Sequence, residues 1–164
     1  MSGVPFAPVP GLFGSQLLAV RPDYKVIDNP FAPDERLVVV PAIRPDVALL
    51  HAVRAEPGGA AVVSAHGDAV MLAQASRRVI VSAEAIYDGA TRQLAPDERL
   101  IADIYVDALV PAPGGAAPLG LRGCYEPDAA KLAAYVQAAR SAESFAAFLR
   151  EFVRERERDA VALR

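Results

Sequence analysis

The sequence predicts an α/β domain built on an open, mostly parallel sheet with flanking helices and a C-terminal helical pair. Three observations carry this. Short apolar runs rich in valine, isoleucine and leucine recur through the middle of the chain, near-continuous rather than strictly alternating, as in strands covered on both faces. A segment of helical period falls between two of these runs, as a crossover between parallel strands requires. The last quarter repeats apolar residues at helical spacing.

The first 35 residues hold six of the 14 prolines and little periodicity. Proline fixes φ and restrains the residue before it, so residues 1–35 read as an extended, irregular arm with at most one short helix around Ser15 to Val20. Strands follow at 37–41, 46–53 and 60–64, separated by Arg44-Pro45-Asp46 and by the turn Glu56-Pro57-Gly58-Gly59. A helix is expected over 67–76, then the strongest strand, Arg78 to Glu84, and after a turn-rich segment a further strand from Ile104 to Val110. The loop Pro111 to Pro118 ends the strand pattern.

Leu132, Tyr135, Val136 and Ala139 recur at i, i+3, i+4, i+7, as do Phe145, Phe148, Leu149 and Phe152. Asp128 and Ser141 are the expected N-terminal caps of these two helices. The division that results is an arm over 1–35, one domain over 36–158 and a tail over 159–164, with no internal repeat.

Composition narrows the function. The chain has 164 residues, 53% of them hydrophobic and 23% charged, which suits a packed core rather than disorder. A net charge of -3 gives no general attraction for nucleic acid or anionic lipid, and no apolar run reaches the roughly 18 residues of a membrane span. The one cysteine, Cys124, excludes an internal disulfide, and the start Met-Ser-Gly-Val-Pro-Phe lacks a signal-peptide pattern. A cytoplasmic location is expected. Two histidines and one cysteine, none at ligand spacing, predict no metal site, and no Gly-x-Ser-x-Gly elbow or Walker loop is present.

Five residues stand out as candidates for a substrate site. Glu84 closes the strongest strand, where ligands of an open parallel sheet bind; it is either a general base or acyl acceptor, or a structural carboxylate tied to an amide or an arginine. His51 ends the second strand with Arg54 just after it, and an arginine suits bidentate capture of an acid. A histidine bonded to backbone is the competing reading. Gly114 and Gly115 follow a strand, so their backbone can approach an oxyanion or phosphate, unless they form an ordinary turn. His66 reads as a cap or loop residue, and Cys124 as an inert small hydrophobe.

Four segments in the same order resemble the alpha subunit of the glutaconate-type, family I coenzyme A transferases. They are Pro10-Gly-Leu-Phe-Gly-Ser15, the run from Pro41 to His51, the run from Ala75 to Ile86, and Gly114-Gly-Ala-Ala-Pro118 with Gly123-Cys-Tyr125. The resemblance spans about residues 5 to 155. It implies a CoA-transferase-like fold and movement of coenzyme A from an acyl-CoA to a small carboxylic acid, through a glutamate nucleophile on a beta-type partner subunit. By the same resemblance Glu84 matches an alpha-subunit glutamate that is not the nucleophile, while His51, Arg54, Gly114 and Gly115 stay candidates for the substrate side on their own chemistry.

The departures are specific. The family's N-terminal part with its glycine-rich loop has no counterpart here. Its Ala-Asp-x-x-Gly-Asn reads Ala55-Glu56-Pro57-Gly58-Gly59-Ala60, and the histidine of its Gly-x-His-Pro is Ala117. These differences leave two alternatives to a transferase component: a non-catalytic binding or assembly module, or one member of an acyl-CoA hydrolase pair.

Overall fold

A computed structural model describes residues 4–162, with side chains up to Arg154. Three small sheets organise the described residues. In the first, β1 (Phe6–Val9), β2 (Lys25–Asn29) and β3 (Ala32–Pro41) are antiparallel in the order β1-β3-β2. In the second, β4 (Val47–Ala52), β7 (Arg78–Ala83) and β9 (Ala108–Pro111) are parallel in the order β4-β7-β9. The third is antiparallel, in the order β5-β6-β8, from β5 (Arg54–Ala55), β6 (Ala61–Ser64) and β8 (Glu98–Ile101).

The parallel sheet and helices bear out the α/β class. Two of its strands, β4 and β7, hold their predicted places within a residue or two, and α2 (Ala69–Ala75) falls on the crossover between β6 and β7. The two antiparallel sheets are the additions. Where the prolines predict an irregular arm, the structure has β1 and β2, with the short helix α1 (Leu17–Val20) between them. Pro8 is compatible because β1 is an edge strand, where a missing N–H breaks no central ladder. The strand expected over 104–110 begins only at Ala108, after a 3₁₀ turn at Asp103–Tyr105, and β8 lies in the segment read as turn-rich.

The main core is made of small residues. Ala48, Ala52, Val79, Val81 and Ala83 from the parallel sheet meet Ala55, Ala61, Val63 and Ile101 from the third sheet and Ala73 from α2. Alanine on facing strands lets the layers approach closely, so Ile101, at 1% exposure, fills the largest single share. Val53 N–H bonds Val62 O, and Ala55 N–H bonds Ala85 O, so β4 runs directly into β5 and the second and third sheets share one edge. α3 (Ala129–Ala138) and α4 (Ala142–Ala162) form the predicted pair, held by edge-on contacts of Tyr135 with Phe145 and Phe148. Both caps form: Asp128 Oδ1 accepts from Lys131 N at 2.9 Å and Ser141 Oγ from Ser144 N at 3.1 Å. α4 runs through the first part of the predicted tail to Ala162; residues 163 and 164 lie outside the described residues.

Candidate functional site

The parallel register sets the site. His51 on β4 lies opposite Ser82 on β7, and Glu84 follows one residue past the end of β7. The loop after β9 is drawn against these ends because Ala112 N–H bonds Ala83 O at 2.8 Å, which continues the ladder beyond the strand. Polar groups are thereby gathered at the carboxyl edge of the sheet, where open α/β sheets bind ligands.

Three groups converge on Glu84. Its Oε1 lies 2.7 Å from His51 Nε2 and accepts from the Tyr125 hydroxyl at 2.5 Å, while Oε2 accepts from Gly114 N–H at 2.6 Å. His51 Nδ1 is 2.8 Å from Ser82 Oγ. In the neutral ring, a proton on Nε2 faces the carboxylate and Nδ1 accepts from the serine hydroxyl. The Tyr125 oxygen also accepts from Ala116 N–H at 2.9 Å, so one phenol links the carboxylate to the loop.

Glycine is needed at both loop positions, for different reasons. Gly114 has φ +67, a left-handed backbone. At Gly115 a Cβ would lie 2.6 Å from His51 Cε1 and 2.8 Å from Ala112 O, so the backbone crosses directly over the imidazole.

Electrostatics follow from these contacts. Burial by itself pushes the Glu84 carboxyl up, but the bonds from Tyr125, His51 and Gly114 together outweigh it and the net shift is downward. The Tyr125 phenol moves up, through burial and then through the adjacent carboxylate it already bonds. Three hydrogen bonds fall on the two oxygens of Glu84, and they have to be loosened before either oxygen can attack a carbonyl or take up a proton, which disfavours a role as nucleophile or base.

The Ser82–His51–Glu84 row has the residue types of an acyl-transfer triad, but the amides of the facing loop are already taken and do not form an oxyanion hole. Gly114 N–H is spent on Glu84, Gly115 N–H on Ala112 O, Ala116 N–H on Tyr125 and Ala117 N–H on Gly114 O. The arrangement holds a loop and orients a histidine.

His51, Glu84, Gly114 and Gly115 are thus brought together, and Arg54 is not. Its side chain turns to the segment after Tyr87. Nε donates to Ala90 O at 2.7 Å and Nη2 to Gln93 O at 2.8 Å, while Nη1 and Nη2 reach Glu98 Oε1 and Oε2 at 2.5 and 2.7 Å. The paired guanidinium and the Ala95 amide depress Glu98 to about 2. An open cleft of about 690 Å³ lies beside this clamp, lined by Tyr87, Arg92 and Gln93 among others. Glu56 fastens the same segment by accepting from Thr91 N and Oγ1 at 3.2 and 2.6 Å.

Ser82 and Tyr125 belong to the site without standing out in the sequence. Ser82 carries a signal: with Glu84 it breaks an apolar strand at i, i+2, the spacing that puts both on one face. Tyr125 lies 41 residues from Glu84, and only its place in the Gly123-Cys-Tyr125 segment of the resemblance marks it. His66 is a loop residue whose N–H bonds Ser64 Oγ at 3.2 Å, and burial pushes the Cys124 thiol up, with the Glu84 carboxylate adding to it. Among the described residues no group of three His, Cys, Asp or Glu side chains could hold a metal, and no helix is long and apolar enough to cross a membrane.

The fold and this network define an α/β protein with polar groups gathered at the carboxyl edge of a parallel sheet, and comparison with known proteins says what that arrangement is similar to. The chain is homologous, over about nine-tenths of its length, to the alpha chains of the glutaconate-type coenzyme A transferases. It is 35% identical over 167 residues to the A subunit of glutaconate CoA-transferase from Acidaminococcus fermentans, covering 92% of this chain and 52% of the relative. It is 35% identical over 155 residues to the A subunit of 3-oxoadipate CoA-transferase from Pseudomonas knackmussii, covering 93% and 54%. The crystal structure of the Acidaminococcus transferase superposes with a TM-score of 0.78 at 35% identity, over 91% of this chain and 52% of that one. That of the decarboxylase AibA/AibB, in a single-site variant, superposes at 0.77 and 34% identity, over 92% and 54%. No protein-family model matches. The chain spans about half the length of the curated relatives it matches.

Proposed function

We propose that this chain is the alpha-type component of a coenzyme A transferase, moving CoA between an acyl-CoA and a small carboxylic acid, with the nucleophilic glutamate on a beta-type partner subunit. The observation that carries the reading is the state of Glu84. In a chain 35% identical to the A subunits of two transferases, the carboxylate at the sheet edge is held by three hydrogen bonds to its own protein, which supports a nucleophile supplied from elsewhere. His51, Glu84 and the Gly114–Gly115 backbone then shape the substrate side, and Arg54 acts through the Glu98 clamp. In this reading residues 36–158 form the working domain, residues 1–35 an arm that reaches a partner, and the complex operates in the cytoplasm without a metal.

The test is a transfer assay on the tagged chain purified from its native cell with whatever protein accompanies it in stoichiometric amount, using acyl-CoA and free acids. Transfer that requires both chains, and an acyl or CoA adduct trapped on a partner glutamate, is the expected result. No transfer by an intact complex would overturn the reading. Because the AibA/AibB relative is named a decarboxylase, CO₂ release without CoA exchange would assign the complex to that chemistry instead.

A further inference from the structure

The open cleft of about 690 Å³ beside the Arg54–Glu98 clamp has the size of a small-molecule site and shares no residue with the His51–Glu84 network. Its wall is the segment from Tyr87 to Ala95, which forms no strand or helix yet is pinned along its length. Ala90 O and Gln93 O accept from the Arg54 guanidinium, Thr91 bonds Glu56, and Ala95 N–H bonds Glu98. The side chains of this wall are therefore carried on a fixed backbone.

Two guanidiniums line the cleft, and they differ. Arg54 is spent on Glu98 and on two carbonyls, and both Glu98 oxygens are taken. Arg92 is exposed, and its guanidinium makes no hydrogen bond or ion pair among the described residues. It is nevertheless placed: a Cβ at Gly89, whose φ is +78, would lie 2.9 Å from Arg92 Nε and 3.3 Å from its Cζ. Glycine at 89 thus lets the arginine fold back over the turn that carries it. The Tyr87 hydroxyl and the Gln93 amide in the same lining also have no bond among the described residues. Tyr87 and Leu94, 49% and 45% exposed, add an aromatic and an aliphatic surface.

We propose that this cleft binds a small organic monocarboxylate with an apolar body, its carboxylate on the Arg92 guanidinium and its body on Tyr87 and Leu94. The planar guanidinium offers paired N–H groups that match two carboxylate oxygens. Glu56, outside the lining and bonded to Thr91, senses the Arg92 charge, and Glu98 is ionised in the cleft itself. Both count against a ligand with a second negative charge, such as a phosphate dianion. A cationic ligand would find no free carboxylate oxygen on Glu98. The inference rests on the cleft and not on the reaction, so it stands or falls apart from the transferase reading.

The test is titration of the full chain with benzoate, acetate and inorganic phosphate at matched ionic strength. Ligand-observed NMR reads the affinity, and the arginine Nε–H resonances read the site. Benzoate should bind saturably with a dissociation constant of about 1 mM and shift the Arg92 Nε–H, with acetate and phosphate each at least roughly fivefold weaker. Arg92→Met should weaken benzoate about tenfold or more with the melting temperature unchanged, since the side chain is exposed. Arg92→Lys, which keeps the charge and loses the paired donors, should recover less than about a third of the affinity. Tyr87→Ala should weaken benzoate and leave acetate, which has almost no body, unchanged. The proposal is overturned by an absence of saturable binding, by equal binding to Arg92→Met or full recovery in Arg92→Lys, or by phosphate binding as tightly as benzoate.

Discussion

Glu84 shows how far one residue's role depends on what reaches it. A strand-end glutamate is read from sequence as a base or, more often, as a structural group. Three donors at 2.5 to 2.7 Å decide between these, because an ionised carboxylate with both oxygens bonded has little basicity left. Glu84→Gln should keep the fold and lose about 2 kcal/mol in urea unfolding, as a charged acceptor becomes neutral. The paired enzyme should retain part of its activity; total loss in an intact complex would return Glu84 to the chemistry. Tyr125→Phe removes one donor to Glu84 and the acceptor for Ala116 N–H, so about 1 to 2 kcal/mol should be lost in the same assay. An unchanged midpoint would mean that water replaces the phenol without cost.

At the scale of elements, the Arg54–Glu98 clamp ties the start of the third sheet to its last strand and to the loop between them. Glu98 has a folded value of about 2 against an ordinary 4.5, so its stabilisation is fully present above pH 4.5 and is lost as pH falls toward 2. Glu84 is depressed too and contributes in the same direction. The chain should therefore lose stability steadily below about pH 4.5, and Arg54→Met should flatten that slope while costing about 3 kcal/mol at neutral pH. Denaturant midpoints across an acid series check both. Within the core between the sheets, Ile101→Ala should cost about 3 kcal/mol, because its neighbours are mostly alanines with little side chain to move into the gap. A loss below about 1 kcal/mol, read the same way, would show that the layers close over the cavity.

For the molecule as a whole, the parallel sheet leaves one face exposed among the described residues and gathers a hydrogen-bonded carboxylate at its carboxyl edge. The parallel strands, the crossover helix and the aromatic helix pair were legible in the sequence because each is local: short apolar runs, a 3.6-residue period, and caps one residue before a helix. β1 and β2 were not, because both are largely exposed edge strands that lack the pattern of buried ones and gain their ladder only from β3. β8 was hidden likewise, its partner β6 lying more than thirty residues earlier. Of the candidate site, His51, Glu84 and the glycine pair were found because polar or flexible residues at strand ends signal a sheet edge. Tyr125 could not be found, nor could Arg54 be set aside, since a side chain's direction follows from packing between distant segments. Local periodicity and resemblance were enough for the α/β class, the parallel strands and the likeness to transferase alpha chains. The three-dimensional packing alone settled which groups spend their hydrogen bonds on each other, because that depends on distances between segments thirty or more residues apart, which spacing along the chain does not encode.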